Sequence, residues 1–97
     1  MEINELKSKL KNYRKEDIII THHADLQAFV RGVELDEVKE NILHPSKLVY
    51  VKNQEEKYDC YFAYSRHLYH RYILTLDRKV IIVTIIKINR DWQKAVG

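Results

Sequence analysis

Two stretches of this chain carry side chains suited to phosphate chemistry. In the first, His23, Gln27 and Arg31 recur at i, i+4 and i+8, so a helix there displays them as one polar stripe. In the second, Tyr64-Ser65-Arg66-His67-Leu68-Tyr69-His70-Arg71-Tyr72 mixes imidazoles and guanidiniums with tyrosines. Guanidinium groups grip phosphate bidentately, and tyrosine rings stack on bases. Metal-independent RNA cleavage needs a base for the 2′-hydroxyl, an acid for the leaving 5′-oxygen and cations around the crowded phosphorane. Imidazole serves the first two near neutral pH, because its unperturbed pKa is about 6.5. On this reading His23 is the general acid or base, and Arg71 or Arg66 is the phosphate clamp. His67 or His70 is the partner acid/base, and Tyr64 or Tyr72 stacks on a base. Lys87 is grouped with Tyr64, His70 and Tyr72 as RNA-binding. The competing reading is structural: a solvated helix face, then a hairpin whose tyrosines pack on a sheet.

Other chemistries find little support. His22-His23 and His67-x-x-His70 are the local histidine pairs, and neither has a cysteine nearby. Adjacent histidines on a helix diverge by about 100° and do not readily share one ion. No metal and no cofactor are expected. The chain has no GxGxxG, P-loop or GxSxG motif. Thr84 interrupts an apolar strand, and Lys87, three residues on, projects from the opposite face unless a bulge intervenes.

The elements that must position these groups follow from periodicity. Glu2–Arg14 reads as an amphipathic helix with Ile3, Leu6, Leu10 and Tyr13 on one side. Asp17–Thr21 is a short buried strand. Thr21, or less favourably His22, caps a second helix whose Leu26, Phe29, Val30 and Val33 form the buried face, with Gly32 as its stop. A third helix spans Leu35 to Leu43, with Leu35, Val38 and Ile42 inward. Glu34 is its cap, a poor one, and Val33 and Val38 form a hydrophobic staple around it. His44-Pro45-Ser46 ends that helix.

From Lys47 the period becomes two. Strands are expected over Lys47–Lys52, Tyr58–Ser65, His70–Leu76 and Val80–Ile88, with turns at Asn53–Lys57 and Asp77–Lys79. Arg66–Tyr69 is a connection, and Arg90–Val96 a short polar tail or helix carrying Trp92. The last strand, apolar on both faces, belongs inside the sheet. Helices followed by strands imply an α+β fold, with helices packed on one face of a curved, mostly antiparallel sheet of four to five strands.

Ninety-seven residues, 45% of them apolar, with two glycines and one proline, fit a single domain. The lone cysteine, Cys60, rules out an intrachain disulfide and reads as a core residue. Met1 to Lys11 is charged throughout, and the apolar run Val80–Ile86 is too short to span a bilayer, so a cytoplasmic location without a membrane partner is expected. The net charge of +3 is uneven: residues 17–43 carry two basic and six acidic groups, whereas residues 44–97 carry ten basic and five acidic. A basic C-terminal half suits a polyanionic partner.

His23-Ala24, Arg31-Gly32-Val33, Glu37-Val38 and Val83-Thr84 together resemble the pattern of the domain-of-unknown-function family 4258, over most of residues 18–88. The resemblance implies a fold similar to RelE-type mRNA interferases and barnase-like ribonucleases. It also implies a toxin of a toxin–antitoxin pair, with an antitoxin protein as partner. It carries His23, Arg31 and Thr84 over as active residues. The chain departs from the pattern at Gln27, where the family often has an arginine, so one phosphate clamp is missing. The expected function is a metal-independent endoribonuclease acting on single-stranded RNA. The alternatives are a non-catalytic module binding RNA or protein through residues 64–72, and a structural protein that forms a homodimer.

Overall fold

The computed structural model describes residues 2–65 and 68–89. It is α+β, with helices α1 (Ile3–Leu10), α2 (His22–Arg31) and α3 (Leu35–Leu43) and strands β1 (Ile18–Ile20), β2 (Leu48–Gln54), β3 (Lys57–Ala63), β4 (Leu68–Leu76) and β5 (Val80–Asn89). The five-stranded sheet has the order β1-β5-β4-β3-β2. Strands β2 to β5 form the expected antiparallel meander, and β1 adds parallel to β5 through Ile18–Ile20 and Val80–Ile82.

One core joins helices and sheet. Leu6 and Leu10 of α1, Ala24 and Ala28 of α2, and Val38 and Ile42 of α3 cluster with Cys60, Phe62, Tyr72, Leu74, Val80, Ile82 and Ile85. The strand members alternate, as a pleated sheet requires, except in β5. There the register shifts so that Ile73 opposes Thr84 while Leu74 opposes Ile82, which leaves Val83 as a bulge. The bulge explains why Ile82 and Ile85, three residues apart, are both fully buried.

Helix α1 is shorter than its periodicity suggests. Asp17 accepts a bond from the Arg14 N–H at 2.9 Å and stabilises a 3-10 turn at Lys15–Asp17. Tyr13 leaves the helix but still packs on the core, its hydroxyl donating to the Asp77 carbonyl at 2.7 Å. The caps of α2 follow the sequence closely. Thr21 Oγ1 accepts from the Ala24 N–H, and Gly32 adopts the left-handed conformation, with φ of 67°, that ends the helix. Helix α3 has the expected bounds, and Glu34 caps it without a side-chain hydrogen bond.

The buried face of α2 is a correction. Leu26, Phe29 and Val30, expected in the core, are 52%, 85% and 79% exposed. Ala24 and Ala28 are buried instead, and Gln27 and Arg31 of the polar stripe reach the sheet. The reason lies in the topology. β1 ends after three residues, so beyond Ile82 the edge of β5 opposite β4 has no strand beside it. Helix α2 occupies that edge, and the two alanines let it approach closely. Gln27 Oε1 accepts from the Ile85 N–H at 2.9 Å, and Arg31 Nη1 donates to the Ile85 carbonyl at 3.3 Å. An unpaired buried N–H costs about 1–3 kcal/mol, and the polar face of α2 supplies the partner that the missing strand would have given.

The position of β5 is likewise modified. It lies between two strands only along Val80–Ile82, and α2 bonds its open edge at Ile85.

Candidate functional site

The expected site residues divide between the two faces of the sheet. β4 and β5 pair His70 with Lys87, Tyr72 with Ile85, Arg71 with Ile86 and Ile73 with Thr84. Alternation therefore puts His70, Tyr72 and Lys87 on the core-facing side, and Arg71 and Thr84 on the other. The Val83 bulge precedes Thr84, so it does not bring Thr84 and Lys87 together. Arg71 and His70, adjacent in one strand, cannot share a phosphate as clamp and acid/base.

On the outer face Arg71 already has a partner. Its Nε and Nη2 donate to the two carboxylate oxygens of Asp59 at 2.7 and 2.6 Å. The Asp59 side chain is 1% exposed and that of Arg71 29%. The guanidinium also lies 5.4 Å from the centre of the Tyr61 ring. Hydrogen bonding to Asp59 raises the Arg71 pKa further, so its charge is fixed. This fork-to-fork pair is the geometry that a phosphate would otherwise take. Arg71 is thus a structural cation, and the missed signal was Asp59, a single acid within an apolar–aromatic strand.

The core-facing side carries a different cluster. Asn41 Nδ2 donates to the Tyr72 hydroxyl at 2.9 Å, and that hydroxyl lies 3.0 Å from His70 Nδ1. With its oxygen accepting from Asn41, Tyr72 can donate its proton to Nδ1, which places the His70 proton on Nε2. Burial, reinforced by Lys87 and Lys47, pushes the His70 pKa down to about 4. His70 is therefore neutral at pH 7, and Glu37, 3.6 Å away, is a neighbour rather than an ion-pair partner. Tyr72 is fully buried and presents no face to a base.

The same cluster reaches the surface through Tyr64. Its ring stacks on His70 with centroids 4.5 Å apart and planes inclined by 25°. Tyr64 is 42% exposed, and the ammonium of Lys87 lies 5.9 Å from the centre of its ring. A half-exposed aromatic ring and an exposed lysine are thus held together at the end of the sheet where β4 begins and β5 finishes. His70, anchored through Nδ1, serves there as a fixed platform for Tyr64.

His23 lies in the first turn of α2 and is exposed. Arg31 is committed at least in part to the Ile85 carbonyl, and Gln27 to its N–H. The departure at Gln27 has a structural meaning, since arginine has no acceptor for that N–H. Arg66, His67 and the tail from Arg90 to Val96 with Trp92 lie outside the described residues. Cys60 is fully buried, as expected, and burial raises its thiol pKa. Among the described residues no three His, Cys, Asp or Glu side chains gather as a metal site, and no helix is long and apolar enough to cross a membrane. No family model, curated protein or solved structure matches this chain.

Proposed function

We propose that this protein engages single-stranded RNA and cleaves it without a metal, as a small cytoplasmic endoribonuclease of the toxin–antitoxin type. The observation that carries the reading is the Lys87–Tyr64–His70 stack. A partly exposed ring offers a surface for a base, and an ammonium beside it offers a partner for the adjoining phosphate. His23 is the acid or base, being an exposed imidazole at the start of α2. The resemblance to the domain-of-unknown-function family 4258, which implies a fold similar to RelE-type and barnase-like ribonucleases, supports the same reading. It extends it to helices packed on one face of a curved sheet and to an antitoxin partner.

A second reading, RNA binding without cleavage, is favoured by one group of observations. Arg71 is tied to Asp59, Gln27 and Arg31 hold the β5 edge, and His70 is buried and neutral. Incubation with labelled single-stranded RNA in EDTA separates the two. Under the first reading the RNA is cut, and His23→Ala protein, still folded, leaves it intact, since general acid–base catalysis is worth roughly 100- to 10,000-fold. Under the second the RNA is retarded but whole. In either case Lys87→Ala lowers the salt dependence of binding by about one unit of slope. RNA that is neither bound nor cut rules out both readings.

A further inference from the structure

The outward face of α2 is unusual in being apolar. Leu26, Phe29 and Val30 follow one another at i, i+3 and i+4 and stand 52%, 85% and 79% exposed. Phe29 also lines an open cleft between α2 and the start of α3, and Asp25, Glu34 and Asp36 line the same cleft. One of these acids, Asp36, is 3.9 Å from Lys15, but their side chains are 87% and 57% exposed, so a partner can replace that contact. Acids thus flank this exposed apolar row on its Phe29 side, and the largest apolar patch of a small protein is often an interaction surface.

The rim decides the kind of partner. Carboxylates around the cleft repel RNA and anionic lipid surfaces. A second copy on a two-fold axis would set this patch and its flanking acids against their own copies. Three apolar side chains also amount to an area on the order of 300 Å², well below the roughly 800 Å² that each partner buries in a standard interface. A short segment needs less area. We infer that this face docks a basic amphipathic helical segment of another protein, whose apolar row seats on Leu26, Phe29 and Val30 while its lysines or arginines meet Asp25, Glu34 and Asp36. The surface is independent of the Tyr64–Lys87 corner, so this inference does not depend on the RNA reading.

The test uses two synthetic helical peptides with leucine at i, i+3, i+4 and i+7. One has lysine at the remaining positions and the other glutamate. Fluorescence anisotropy measures their binding to the full chain. The lysine peptide is expected to bind at least tenfold more tightly than the glutamate peptide, although the protein carries a net charge of +3. The double variant Phe29→Ala/Val30→Ala, exposed and so free to fold, is expected to lose at least tenfold. The triple variant Asp25→Asn/Glu34→Gln/Asp36→Asn is expected to bring the lysine peptide down to the level of the glutamate peptide. Equal binding of the two peptides, no binding of either, or binding indifferent to Phe29→Ala/Val30→Ala overturns the inference. So does a dimer in sedimentation velocity that the alanine pair abolishes, which would assign the face to a second copy.

Discussion

Gln27 on α2 accepts a hydrogen bond from the backbone N–H of Ile85 at 2.9 Å, where β5 has run past the end of β1. A side-chain amide thus completes a sheet edge in place of a strand. Gln27→Ala is expected to destabilise the protein by about 1–3 kcal/mol, read as a lower urea midpoint with an unchanged slope. Gln27→Glu, which keeps an acceptor, should lose less than Gln27→Arg, which has none. An equal loss in Glu and Arg variants would show that Ile85 does not depend on this acceptor.

The Asp59–Arg71 pair predicts a strongly coupled double-mutant cycle. Arg71→Met strands a carboxylate that is 1% exposed, and breaking such a pair costs about 3–5 kcal/mol. Replacing both residues with apolar ones, Asp59→Leu/Arg71→Met, is expected to recover much of that loss. A double variant no more stable than Arg71→Met alone would show that the stranded carboxylate is not the source of the loss.

His70 gives the stability a pH dependence of known sign. Its folded pKa of about 4 lies below the ordinary histidine value of 6.5. Between those values the unfolded chain binds the proton and the folded one does not, so stability falls as pH drops from 6.5 toward 4. Chemical denaturation between pH 5 and 6.5, above most carboxylate titration, should show this slope, and His70→Gln should flatten it. A wild-type slope that survives in His70→Gln would place its origin elsewhere.

Gly32 isolates a backbone effect. A Cβ added there meets nothing within 4 Å, so the only obstacle to alanine is the φ of 67°. Gly32→Ala is expected to cost about 1–2 kcal/mol, and Gly32→Asn less, because asparagine tolerates this conformation. Thermal melts of the two variants check the ranking.

Local rules made much of the fold readable. The bounds of α3, the Thr21 cap, the left-handed stop at Gly32, the burial of Cys60 and the β2–β5 meander all depend on residue type and spacing over a few positions. The i, i+4 pairs Ala24/Ala28 and Gln27/Arg31 also contained the clue to α2, as small residues beside polar ones mark a helix that approaches backbone closely. Periodicity alone gave Leu26, Phe29 and Val30 more weight, because it registers hydrophobicity and not the hydrogen bonds owed to a neighbouring strand.

What the sequence by itself determined was the set of helices and strands and the candidate groups they carry. The tertiary structure decided which way those groups face. Pairing along β4 and β5 sends His70 and Lys87 to one side and Arg71 and Thr84 to the other, and Asp59, twelve residues before Arg71, claims the guanidinium. Those outcomes depend on strand register, a bulge at Val83 and a β1 too short to cover β5. Each is set by contacts between segments far apart in the chain, beyond the reach of any local pattern.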